Sequence, residues 1–253
     1  MPLAVDWSAP WMQPWRGLTP LPAGERGPVA VLLGQLTASR TNGPAFVPHR
    51  ALPPSEPYES FIHRTATIPT RDNLHDFFNG LVWLAFPQAK RRLNELQAAE
   101  IARRGVGPTR GPLRDALTLF DEHGAVLDAP PALWHALRAR DWRRLFLDLR
   151  PLWSGARVRV FGHALLEKLL AGQKSATAHV LLGPDAGDPS IAPGDAAIAA
   201  ALDPQRLAGK PFTPLPVAGI PGWHPGNCEP AFYDDAEVFR PRRPLEADRP
   251  APN

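Results

Sequence analysis

Proline constrains this chain more than any other residue. It occupies 32 of 253 positions, against about 5% in ordinary proteins. Each proline fixes φ and removes a backbone donor, so regular structure is interrupted often and long irregular connections are expected. The prolines are spread along the chain without a fixed period, which excludes a collagen-like repeat, and no internal repeat of another kind is visible. With 44% hydrophobic and 21% charged residues the composition is otherwise that of a globular chain. A chain of this length can bury a core without covalent staples and suits one large domain. Residues 1–240 are read as that domain, with a tryptophan-rich arm at 1–24. Residues 241–253 are polar, rich in proline, and expected to be disordered.

Cys228 is the single cysteine. An intrachain disulfide framework and a cysteine-based zinc site are therefore excluded, and a reducing compartment is favoured. The first residues lack the basic and apolar regions of a secretory signal. No run of about 18 apolar residues is present, so no membrane span is expected. These points together predict a cytoplasmic protein. The formal charge is +3 and the isoelectric point about 9.4. The arginines fall in dispersed pairs, such as Arg91 and Arg92 or Arg143 and Arg144, with acids near most of them. That dispersal argues against a specific nucleic-acid partner, which would need a clustered basic stripe.

The hydrophobic pattern places helices at 28–38, 71–86, 88–104, 131–139, 141–149 and 196–202, the last with Asp195 near its cap. The clearest is 71–86, where Leu74, Phe77, Phe78, Leu81, Val82 and Ala85 repeat with helical spacing. Thr70 or Asp72 is placed to cap it and Pro87 to end it. Residues 116–128 read as a β-hairpin turning at Asp121-Glu122-His123-Gly124. Val158, Val160 and Phe161 read as a strand that gives way to a helix at Gly162-His163, and 177–183 is an apolar run of undecided type. Residues 40–70, and those from 203 onward, read as largely irregular. Helices, hairpin, helices, strand and helix in that order do not make a regular βαβ alternation. The expected class is α+β: a helix-rich single domain with a small sheet and long proline-rich loops.

No phosphate loop, HExxH, GxSxG or dinucleotide fingerprint occurs. The most distinctive polar pattern is on helix 71–86. Asp72, His75, Asp76 and Asn79 form one stripe along the flank of its apolar face. Histidine and aspartate in such a rim can bind a divalent metal or move protons. The structural reading of the same residues is a cap at Asp72, a dipole partner at Asp76, and loop hydrogen bonds from His75 and Asn79. His163 stands at the strand-to-helix junction, with Glu167 one turn later to orient it; His179 lies within the 177–183 apolar run. His224 and Cys228 are spaced as a weak ligand pair, and Asp234 and Asp235 suit either a bound cation or pairing with an arginine, the pairing being the favoured reading.

The segments PTRDNLHDFFNGLVWLAFPQAKRRLN, RDALTLFDEHGAVL, VFGHALLEKLL and FYDDAEVFRPRR together resemble a bacterial family defined as domain of unknown function 3025, over about residues 40–243. The resemblance implies a bacterial cytoplasmic protein and carries no catalytic residues with it. Two functional readings follow. In the first the chain is an enzyme of the hydrolase or proton-transfer class acting on a small molecule. His75, Asp76 and His163 are then catalytic or ligate a divalent metal, and Asp72, Asn79, His179 and Glu167 contribute to binding. The second reading is a non-catalytic binding or interaction module. The enzyme reading requires His75 and His163 to line one cavity, within a bridging water or metal of each other.

Overall fold

The structure, a computed structural model, describes residues 5–17, 27–37, 43–106 and 111–242. Parts of the expected N-terminal arm, and residues 243–253 of the expected tail, lie outside the described residues. The elements run α1 (Val29–Thr37), β1 (Ala45–Pro48), α2 (Tyr58–Thr65), β2 (Thr67–Thr70), α3 (Leu74–Ala85), α4 (Pro87–Arg104), α5 (Pro112–His123) and β3 (Gly124–Asp128). They continue with α6 (Pro131–Ala139), β4 (Arg157–Val160), α7 (His163–Leu170), β5 (Thr177–Leu181), α8 (Asp195–Ala201), α9 (Pro204–Ala208) and β6 (Phe212–Pro216). The class is α+β.

Proline here starts helices as well as ending them. Pro87, Pro112, Pro131 and Pro204 each occupy the first turn of a helix, where the missing N–H has no intrahelical partner to lose. Pro87 thus stops α3 and opens α4 in one step. The free N–H groups that follow are capped from a distance: Asp195 accepts from Gln88 and Ala89, each at 2.8 Å. Asp195 therefore serves α4 rather than its own helix. In the same way Asp72 accepts from Val29 at the start of α1, at 2.8 Å. Capping of α3 falls to Asn73, whose side chain accepts from the Asp76 N–H at 2.7 Å. This corrects the expectation of Thr70 or Asp72; Asn73 alone stands at the extended position just before the first helical residue.

Residues 116–128 do not form a hairpin. Leu113, Ala116, Leu117 and Phe120 fall at helical spacing, and the latter three are fully buried on one face of α5. That face continues to His123, and Gly124 leads straight into β3. Residues 43–70 hold α2 and the parallel pair β1–β2, and residues 204–242 hold α9 and β6, so both described stretches are more ordered than their proline content suggested. The main sheet has strand order β4-β3-β5-β6. The outer pairings β3–β4 and β5–β6 are antiparallel and the central β3–β5 pairing is parallel. Ala125, Val126 and Leu127 of β3 are all buried, the mark of a strand covered on both faces. Residues 141–149 contain a short π-helical turn at Arg144–Asp148 in place of a full α-helix.

The arm packs as a 3-10 turn over Pro10–Trp15. Trp15 is buried, and its indole N–H donates to the Leu81 carbonyl at 2.6 Å, so this turn is anchored on α3. Trp11 lies at the margin against Trp223, with ring centroids 5.7 Å apart. No described helix is long and apolar enough to cross a membrane.

Candidate functional site

The site forms where three helix ends meet. After β4 the chain passes Phe161 and Gly162 and starts α7 at His163. Both Phe161 and Gly162 donate to the Gly124 carbonyl, at 2.9 and 2.8 Å. A Cβ on Gly162 would stand 2.5 Å from the carbonyl oxygen of Glu122 and from the backbone nitrogen of His123. Only glycine allows the junction to press this closely on the end of α5. That approach sets His163 beside Asp121 and Glu122. Packing of α3 on α7 then brings His75 in from the opposite side.

The two imidazoles converge. Nε2 of His75 and Nε2 of His163 are 3.0 Å apart, with the rings edge to face at 76°. Nδ1 of His75 lies 3.3 Å from the Glu167 carboxylate. Nε2 of His163 is 3.5 Å from Glu122 Oε2, and its Nδ1 is 4.0 Å from Asp121 Oδ1 without a formed hydrogen bond. His163 is 4% exposed. Burial pushes its pKa down to about 3 against the pull of Asp121, so it is neutral at neutral pH. Glu122 is pushed above the usual carboxylate range by burial and by the neighbouring Asp121 charge.

Behind this pair runs a buried polar chain. Lys90, 3% exposed, donates to Asp121 Oδ1 at 2.6 Å and to Asn79 Oδ1 at 2.8 Å. Asn79 in turn donates to the Tyr58 hydroxyl at 3.1 Å. Burial raises the Asp121 pKa, but the Lys90 ammonium, with the adjoining His163 imidazole, outweighs it and holds the carboxyl below its usual value. The Tyr58 hydroxyl is pushed well above its ordinary range by burial and by the Asp76 and Asp121 charges. A cavity of about 230 Å³ opens onto His75, His163 and Glu122, with Arg71, Asp76 and Gln97 on its walls.

The structure thus brings His75, His163, Asn79 and Glu167 to one place. Glu167 orients His75 rather than His163, because one turn along α7 faces α3 and not back to the helix start. Asp76 lines the cavity, but its Oδ2 takes the Arg71 N–H at 2.6 Å. It is absent from the described group of His75, Glu122 and His163, whose ligand atoms lie within 4.8 Å of one another. Asp72 is occupied at α1 and does not line the cavity. His179 does not line it either: on β5 it stacks 6.4 Å from His123, and burial and the His123 charge lower its pKa. His224 accepts from the Gly226 N–H at 3.0 Å and Cys228 is exposed. Asp235 pairs with Lys174 at 2.8 Å rather than with an arginine.

Sequence reasoning missed Lys90, Tyr58, Asp121 and Glu122. A signal was present on α4. Lys90, Asn94 and Gln97 recur with Leu93 at helical spacing and all are buried, a polar stripe where an apolar one is expected. The Asp121-Glu122-His123-Gly124 run has the composition of a turn, which hides the place of Asp121 and Glu122 at a helix end.

Residues 45–243 match the family described as "Protein of unknown function (DUF3025)". The chain belongs to the DUF3025 family. Every side chain just placed around the cavity lies inside the DUF3025 match, whereas the Trp15 turn and α1 precede it. No curated protein and no solved structure matches the chain.

Proposed function

We propose that this DUF3025 protein is an acid–base enzyme of the hydrolase or proton-transfer class that acts on a small polar molecule. The observation that carries this reading is the 3.0 Å approach of the two Nε2 atoms at the mouth of a cavity, with a carboxylate near each ring. The His75 side chain is 40% exposed and is the imidazole that meets substrate. Glu167 holds its Nδ1 proton and leaves Nε2 for proton transfer, the usual way a second group fixes a tautomer. His163 is the neutral partner. Glu122, with its raised pKa, is the carboxyl suited to donate a proton, giving the acid and base separated proton affinities. The Asp121–Lys90–Asn79–Tyr58 chain keeps these groups in place. We place the reaction in the bacterial cytoplasm, for which the single unpaired cysteine and the family resemblance are the support.

The test is turnover by the purified protein of a panel of small esters, amides, lactones and phosphoesters. His75→Ala is expected to lower any observed turnover by about 10²-fold or more, with an unchanged far-ultraviolet circular dichroism spectrum. Undiminished turnover in His75→Ala would refute the assignment.

A further inference from the structure

We propose that His75 Nε2, His163 Nε2 and the Glu122 carboxylate together bind one divalent first-row transition-metal ion. The inference deepens the acid–base reading of the same centre: with an ion bound, His75 Nε2 and Glu122 would serve as ligands and proton transfer would fall to a metal-bound water, so its catalytic meaning rests on that reading while the ion itself rests on geometry alone.

The partner behind His75 decides where the proton of that ring lies. Glu167 sits at 3.3 Å from Nδ1 of His75, so that nitrogen carries the proton and Nε2 is bare. Nδ1 of His163 lies 4.0 Å from the Asp121 carboxylate without a hydrogen bond, so the protonation of that ring is set by what meets its Nε2. Carboxylates placed behind ligating histidines are the common outer arrangement of metal centres. Two imidazole nitrogens 3.0 Å apart, with a carboxylate oxygen 3.5 Å from one of them, need a proton or a metal cation between them. The spacing suits an ion. With metal–ligand bonds of about 2.0–2.2 Å, these separations correspond to angles of about 95° and about 115° at the metal. Both are within the range of octahedral and tetrahedral centres. Two imidazoles and one carboxylate favour zinc, iron, manganese or cobalt over magnesium or calcium, which take all-oxygen sets. Three protein ligands leave positions open toward the cavity for water or substrate. Glu122 comes from the end of α5, His163 from the start of α7 and His75 from the first turn of α3, so the ion would also tie three helix ends together.

The experiment uses the full chain, stripped with chelator and titrated with Co²⁺ followed by visible absorption, and with Zn²⁺ by calorimetry. One equivalent of Co²⁺ is expected, with d–d bands and a rise in melting temperature. His75→Gln and Glu122→Gln, both at partly exposed positions, are expected to weaken binding by about tenfold or more, while His179→Ala binds as the parent does. Circular dichroism establishes that each variant is folded. No saturable binding of either ion, or binding equally tight in both triad variants, would overturn the proposal; the latter result puts the ion elsewhere, and the former leaves a shared proton between the rings. The two readings of the centre fail differently. Turnover that survives chelation but is lost in His75→Ala refutes the ion and keeps the acid–base enzyme. One equivalent of ion lost in the triad variants, with no turnover on the panel, refutes only the catalytic reading.

Discussion

Replacing Lys90 by methionine tests whether the buried polar chain holds the site together. Methionine keeps most of the lysine stem and its packing, so the change removes chiefly the ammonium. In the parent that group is 3% exposed and makes two short bonds, 2.6 Å to Asp121 and 2.8 Å to Asn79. It also lies 5.4 Å from the centre of the Trp83 ring. Removing one member of a buried ion pair leaves the other charge stranded, at a cost of about 3–5 kcal/mol. In a chain of this size that corresponds to a fall in melting temperature of about 10 °C. Most of the cost is the stranded Asp121 carboxylate rather than the bond itself. The double variant Lys90→Met with Asp121→Asn is therefore expected to recover about 2 kcal/mol. Urea unfolding of parent, single and double variants, followed by far-ultraviolet circular dichroism, measures all three values. A single variant within about 1 kcal/mol of the parent, on the scale of an exposed pair, would show that Lys90 and Asp121 are solvated and would sink the argument.

In metal-stripped protein, His163 contributes an acid sensitivity of known sign. Its folded pKa is about 3 against an ordinary 6.5, so between those values the unfolded chain binds a proton that the folded chain does not. Stability is expected to be flat with respect to this group above pH 6.5 and to fall as pH drops through the window; urea unfolding from pH 7 to 4 should show a shallower slope in His163→Gln, and an unchanged slope would count against burial as the cause. Gly162→Ala is expected to cost about 1–3 kcal/mol and to weaken Co²⁺ binding, because the new methyl meets the backbone of Glu122 and His123 at 2.5 Å and must push α7 away from α5; binding equal to the parent would show that the close approach is not needed. Trp15→Phe removes the indole donor to Leu81 and leaves a buried carbonyl short of a partner, so a loss of about 1–3 kcal/mol by denaturant titration is expected, whereas an unshifted midpoint would place that turn outside the cooperative unit.

Much of the helical framework was legible in the residues, since periodicity is a local property. The spacing of Leu74, Phe77, Phe78 and Leu81 specifies an apolar face for α3 whatever it packs against, and Leu93 and Leu96 do the same for α4. The polar flank of His75 and Asn79 was visible for the same reason. Proline was legible only in part: a proline announces an interruption, but whether it ends one helix or opens the next depends on who caps the N–H groups after it. At Pro87 that partner is Asp195, more than a hundred residues away. Asp121 and Glu122 were hidden by a similar ambiguity, because Asp-Glu-His-Gly suits a hairpin turn as well as a helix end, and only the burial of Ala116, Leu117 and Phe120 on one face selects the helix. The order β4-β3-β5-β6 was likewise out of reach, since strand partners are set by long-range packing and not by local spacing. The pairing of His75 with His163 was suggested by residue type, but its 3.0 Å geometry was decided by the tertiary structure. It depends on Gly162 lacking a side chain where two backbones touch, on α3 lying along α7, and on a buried lysine holding Asp121. Those conditions join residues from four separate elements, and no one of those elements contains them on its own.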